Sequence, residues 1–322
     1  MKILVTGGAG FIGANFVHWL IANTNHDVVV YDALTYAGNL ANLKAVEQSP
    51  RYQFIKGDIC DEEAMAAAVA GCEAVVHFAA ETHVDRSIVG PHDFARTNCL
   101  GTSVVMESAR RAGVARVVHI GTDEVYGSVE EGASKESDAL EPRSPYSASK
   151  AGSDLIALSY FQTFGLPVVV TRCTNNFGPY QHPEKAIPLF VTNLIRGLPI
   201  PLYGDGLNVR DWLHVDDHAR AVYLALTDGV AGEIYNVGAG GGIANRVLVD
   251  QLLDHFGVGE EMVAYVDDRP GHDRRYCVDT TKIAALGWAP ERSFGDALAA
   301  TIDWYRNNPL WWHPLVNPQE QR

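Results

Sequence analysis

The chain has 322 residues, 47% hydrophobic and 20% charged, the balance of an ordinary globular protein with room for one large or two unequal domains. Its 39 acidic against 25 basic residues give a formal net charge of -14, a field that repels polyanions and argues against a nucleic-acid partner. The opening MKILVTGG falls far short of a signal-peptide core and of the ~20 apolar residues of a membrane span, so a cytoplasmic location without membrane association is expected.

Up to about residue 171, short β-branched runs alternate with helical patterns, the signature of parallel βαβ units. Strands are predicted at 2–6, 27–31, 52–56, 74–77, 116–120 and 167–171, nearly all apolar as strands covered on both faces should be. Helices are predicted at 12–23, 40–48, 61–70, 93–112 and 146–164. Beyond 172 the alternation loosens into Pro- and Gly-punctuated pieces, with helices near 185–196, 216–227 and 246–256. The expected fold is α/β: a doubly wound parallel sheet of the Rossmann type over 1–171, then a smaller C-terminal substrate-binding domain over 172–322, some of whose segments return to the sheet.

Gly7, Gly10 and Gly13 directly follow the first strand and open the first helix. Such glycines let a pyrophosphate reach backbone N–H groups at the positive end of that helix, with Phe11 and Ile12 between them. The second strand ends in Asp32, nineteen positions after Gly13. A carboxylate there accepts both adenosine ribose hydroxyls and repels a 2′-phosphate, which favours NAD over NADP. Asp58 and Ile59, after the third strand, are candidates for the adenine edge.

Tyr146 and Lys150 form Y-x-x-x-K at the start of a helix, on one face and one turn apart. A tyrosine near its usual pKa of ~10 is a poor base, and a neighbouring ammonium favours its phenolate. The strand RVVHI runs into Thr122, Asp123 and Glu124, at the carboxyl end of the sheet where open α/β folds bind ligands. Thr122 can bond a hydroxyl undergoing oxidation, and two adjacent acids tend to acquire split pKa values, one an acid and its neighbour a base.

Cys60, Cys72, Cys99, Cys173 and Cys277 are scattered with no C-x-x-C pair, and the twelve histidines form no H-x-x-x-H arrangement. Free thiols and no metal site are expected.

The segments VTGGAGFIGANF, YDALTYAGNL, HFAAETHVDRSI, TDEVYG, SPYSASKAGSD, TRCTNNFGPYQHPEKAIP, GDGLNVRDWLHVDDHARA and DDRPGHDRRYCVD together resemble the extended short-chain dehydrogenase/reductase family. Within it, the paired acids of TDEVYG are similar to those of the nucleotide-sugar 4,6-dehydratases. The resemblance implies dTDP-glucose as substrate and a redox-neutral cycle on NAD. Tyr146 takes the 4-hydroxyl proton, Glu124 the C5 proton, and Asp123 protonates the departing 6-hydroxyl. It further implies substrate contacts from Thr82, Asn175, Lys185, Tyr203, Arg210, Asn245, Arg269 and Tyr276, the arginines suiting a diphosphate. It also implies a homodimer built on helices 93–112 and 146–164. Other nucleotide-sugar dehydratases, epimerases and decarboxylases of the family are the alternative. Two departures stand out: Gly121 where relatives commonly carry Ser, and Gly241-Gly242 where many have a polar-acidic pair.

Overall fold

The computed structural model describes residues 1–268 and 272–316. Its strands are β1 (Lys2–Thr6), β2 (Asp27–Asp32), β3 (Tyr52–Lys56), β4 (Ala74–His77), β5 (Arg116–Thr122), β6 (Val168–Cys173), β7 (Asn175–Phe177), β8 (Ile200–Tyr203), β9 (Val209–His214), β10 (Ile234–Val237), β11 (Gly242–Ala244) and β12 (Val263–Val266). Seven of them form one parallel sheet in the order β3-β2-β1-β4-β5-β6-β10. Alternation sends Ile3 and Val5 of β1 into the core on one face and Leu4 into the core on the other, which is why these strands read as continuous apolar runs. The chain order reverses between β1 and β4, opening a crevice at their carboxyl ends.

The last strand, β10, lies 61 residues beyond β6 in sequence and pairs with it in register, Ile234 opposite Val170. The helix Val215–Thr227 packs on the first helix, Phe11–Asn23, so the later half of the chain also covers the sheet. The remaining strands make a three-stranded sheet β11-β9-β7 and a pair β12-β8. A separate core of Phe177, Trp212, Leu248, Tyr305 and Trp312 joins them to the helices Asn245–Phe256, Phe294–Asn307 and Pro309–Val316.

Two predicted helices differ. Residues 40–48 form only a 3-10 turn, Leu40–Leu43, followed by further turns, because Asn39 caps it locally and Asn42 is turned inward to donate to the Ala9 carbonyl, 2.8 Å. Helix 93–112 is three pieces: Pro91–Phe94, a π-helical stretch Ala95–Gly101 and Thr102–Ala112. The widened stretch ends where Gly101 presses on Ile59, leaving 2.7 Å between its missing Cβ and Cγ1 of that side chain.

Candidate active site

A cleft of about 960 Å³ follows the carboxyl ends of β1, β2, β4 and β5. Gly7, Gly10, Phe11, Ile12, Gly13, Asp32, Asp58 and Ile59 line one end of it, and Thr122, Asp123, Glu124, Tyr146 and Lys150 the other. Gly7 has φ +68°, and a Cβ on it would stand 2.6 Å from the Ala79 nitrogen. On Gly13 a Cβ would run into the Gly7 carbonyl oxygen and come within 2.8 Å of the Gly8 Cα. The missing side chains therefore bring loop, helix and β4 into backbone contact. The helix Phe11–Asn23 has no side-chain cap and no acid in its first turn, so its leading N–H groups and positive end suit an anionic group in the cleft. Asp32 is buried and accepts the N–H groups of Ala9 (2.9 Å) and Leu34 (2.8 Å). Burial pushes its carboxyl up and those two bonds oppose the shift.

β5 runs two residues further than predicted and ends in Thr122, whose hydroxyl caps the 3-10 turn Asp123–Tyr126 at the Glu124 N–H, 3.3 Å. That turn inserts Asp123 into the interior, 3% exposed, with one carboxylate oxygen bonded by Thr122 at 3.2 Å and the other unpartnered. Burial, then the nearby Glu124 and Asp211, push the Asp123 carboxyl well above its ordinary range, with Thr122 and Arg210 opposing. A carboxyl pushed up this way is suited to giving a proton to a leaving oxygen.

Tyr146 and Lys150 lie in the helix Pro145–Phe164, started by Pro145 at its first position and a Ser144–Ser147 capping box. Tyr146 bonds Thr122, yet burial and the Glu124 charge raise its phenol well above the usual value. Lys150 donates to the Ile120 carbonyl at 2.6 Å. The sequence reading has this ammonium next to the phenol; the structure gives it a main-chain acceptor on β5 because Lys150 is fully enclosed and needs one.

Of the predicted substrate contacts, Thr82, Asn175 and Lys185 line the same cleft, and Lys185 donates to the Thr82 carbonyl at 3.0 Å across 103 residues of sequence. Arg210 lies outside the lining, bonded to the carbonyls of Val209 and Asp273 and stacked over Tyr276 at 4.4 Å. Tyr276 is buried and donates to Asp273 at 2.7 Å; Glu124 acts electrostatically on Tyr276 and Arg210 on Asp123. Tyr203, 40% exposed, meets His272 edge-on, and Asn245 begins a helix with its N–H on the Asn208 carbonyl. Arg269 lies outside the described residues.

The residue reading missed a second set of cleft groups. Glu184 accepts Arg86 at 3.0 Å with His83 and His182 within 4 Å, and Arg86 stacks on Tyr36 at 3.8 Å. The adjacent Glu184-Lys185 in a proline-punctuated loop was the available signal. Cys173 lines the cleft behind Tyr146, where burial pushes its thiol up to about 12. All five thiols are free. Among the described residues no cluster of metal ligands occurs and no helix is long and apolar enough to cross a membrane.

Residues 4–301 match the family model described as GDP-mannose 4,6 dehydratase. The dTDP-glucose 4,6-dehydratase of Streptomyces niveus is 53% identical over 99% of this chain and 97% of its own, and that of Streptomyces antibioticus 55% over 98% and 95%. The crystal structure of the dTDP-glucose 4,6-dehydratase DesIV from Streptomyces venezuelae, with NAD and dTDP bound, superposes with a TM-score of 0.96 at 55% identity, covering 98% of this chain and 100% of that one. A UDP-glucose 4-epimerase from Thermotoga maritima, solved with UDP-glucose, shares the fold at a TM-score of 0.90 and 33% identity, over 96% of this chain and 100% of its own. The chain belongs to the GDP-mannose 4,6-dehydratase family, within the extended short-chain dehydrogenase/reductase fold.

Proposed function

We propose that the chain converts dTDP-glucose into dTDP-4-keto-6-deoxyglucose and water. The observation that carries this reading is the buried Asp123 beside Glu124 and Tyr146, in one cleft with the glycine loop. The full-length relatives named dTDP-glucose 4,6-dehydratase support the substrate.

The cofactor is NAD; Gly7, Gly10, Phe11, Ile12 and Gly13 would hold its pyrophosphate, Asp32 its ribose, and Asp58 and Ile59 its adenine, with Tyr146 and Lys150 at the nicotinamide end of the cleft. Bound there, NAD would supply reversible hydride acceptance, from the sugar C4 and back to C6. Tyr146 takes the proton of the 4-hydroxyl while Thr122 bonds the same oxygen. The resulting ketone acidifies the C5–H, and Glu124 removes that proton. Asp123, kept protonated by burial and its acidic neighbours, protonates the departing 6-hydroxyl. Thr82, Asn175 and Lys185 contact the sugar, and Tyr203, Arg210, Asn245, Arg269 and Tyr276 the nucleotide diphosphate. In this division residues 1–171 hold the cofactor and most of the chemistry, and 172–322 mainly the nucleotide sugar.

The protein is a cytoplasmic homodimer on this reading, joined through the helices around 93–112 and 146–164, where Leu100, Leu155 and Phe164 are 52%, 59% and 55% exposed. A monomer mass by light scattering would refute the dimer. For the activity, the purified protein is incubated with dTDP-glucose and with UDP-, GDP- and CDP-sugars, and product mass is followed. Loss of one water from dTDP-glucose, with alkaline ultraviolet absorbance of a keto-sugar, is expected; product only from another nucleotide sugar, or without dehydration, overturns it.

A further inference from the structure

Beneath the reaction cleft lies a chain of enclosed polar groups that the chemistry above does not use. Asp154, His119 and Arg172 are 0%, 1% and 2% exposed. Arg172 donates through Nε to Asp154 at 2.8 Å and through a terminal nitrogen to the Tyr126 hydroxyl at 2.8 Å, and the Tyr126 hydroxyl donates to Asn236 Oδ1 at 2.8 Å. His119 stands 3.3 Å from the other Asp154 oxygen. Asp154 is four residues after Lys150 and eight after Tyr146 in one helix, so all three share a face.

The backbone of β5 closes this arrangement. Ile120 accepts the Lys150 ammonium at 2.6 Å. At the next residue, Gly121, a Cβ would lie 2.9 Å from Asp154 Oδ1 and 2.9 Å from the Thr171 carbonyl. The Asp154 carboxylate thus rests against Gly121, one residue along the strand from the acceptor of Lys150.

We propose that Asp154 is a positioning residue for the Tyr146–Lys150 pair: clamped by Arg172 and His119 against Gly121, it is the counter-charge that keeps the enclosed Lys150 an ammonium. This rests on the dehydratase reading above. A buried ammonium with one neutral acceptor tends to lose its proton, and a carboxylate one helical turn away opposes that. Other groups facing Lys150 do less or the reverse: His77 and His119 are enclosed imidazoles, Arg172 is a cation, and Cys99 and Cys173 are thiols that burial keeps protonated. Burial lowers Lys150, and Asp154 leads the influences that raise it again.

The test compares Asp154→Asn, Arg172→Met and the double variant Asp154→Asn/Arg172→Met, which leaves no buried unpaired charge at the clamp. Arg172→Met disturbs the same network and leaves the Asp154 side chain with His119 and the Lys150 charge. The pH profile of kcat on dTDP-glucose is expected to lose its alkaline limb about one pH unit or more earlier in both Asp154→Asn variants, and to keep it in place in Arg172→Met. Stability gives a reading independent of turnover. Where the folded Lys150 has lost a proton that the unfolded chain still holds, stability rises with pH, so that rise begins at lower pH in the double variant than in Arg172→Met. An alkaline limb and a stability curve unmoved in the double variant overturn the proposal. A wild-type protein without dehydratase turnover overturns the function instead, and the stability comparison still decides the role of Asp154.

Discussion

Two glycines, each in the first turn of a helix, are expected to respond to alanine with opposite signs. Gly295 opens the helix Phe294–Asn307 with nothing within 4 Å of the position a Cβ would take. Alanine there gains helix propensity and restricts the unfolded chain, worth about 1 kcal/mol. Gly13 offers the same gain, but its Cβ would run into the Gly7 carbonyl oxygen and crowd the Gly8 Cα at 2.8 Å. Both neighbours are backbone, so no side chain can swing aside, and helix and loop must separate. Overpacking of this kind costs roughly 1–3 kcal/mol, leaving Gly13→Ala destabilised by up to about 2 kcal/mol after the propensity gain. For a chain of this size that is up to about 4 °C downward for Gly13→Ala and about 2 °C upward for Gly295→Ala. The separation also withdraws the leading N–H groups from the pyrophosphate, so Gly13→Ala is expected to be purified with less bound NAD while Gly295→Ala retains it. Thermal melting and NAD released on denaturation measure both. Equal melting shifts, or full NAD content in Gly13→Ala, would refute the close-approach argument.

Glu124→Gln is expected to slow dehydration by about 10²–10⁴-fold, the usual weight of a positioned base, while sparing C4 oxidation, so NADH absorbance accumulates on the enzyme after mixing with dTDP-glucose. Asp123 has a folded pKa raised above its unfolded value; its stability contribution is full below about pH 4 and falls as pH rises toward the folded pKa, by up to about 1.4 kcal/mol per pH unit. Asp123→Asn should therefore melt higher than wild type at pH 8 and lose that advantage near pH 4. His218 is fully enclosed with both ring nitrogens unpartnered and its pKa driven down to about 3. That depression contributes stability above pH 6.5 that disappears as pH falls toward 3, so His218→Leu should flatten the acid limb of a denaturation profile between pH 6.5 and 4. Asp32→Asn keeps the shape and removes the charge that repels a 2′-phosphate, so the ratio of NAD to NADP affinity should fall in binding titrations.

The sequence by itself determined what local spacing can encode. A glycine triplet between strand and helix, an acid at the end of the next strand, Tyr146 four residues before Lys150, and Thr122-Asp123-Glu124 at a strand end are each set within one turn or one strand crossing, where chain geometry alone decides who shares a face. The six leading strands are legible for the same reason, since a strand buried on both sides can only be apolar. The tertiary structure decided everything that depends on which distant segments meet. β10 is four residues of ordinary composition, and it joins the sheet because the helix Val215–Thr227 packs on the first helix and returns the chain beside β6. Lys185 meets Thr82, and Arg210 turns to the Asp273 carbonyl, 63 residues away in sequence. Asp154 reads in sequence as one more acid on a helix. It becomes the partner of Arg172 and His119 only when β5 and β6 enclose it, since removing a carboxylate from water is tolerable only where cations and donors replace the water it loses.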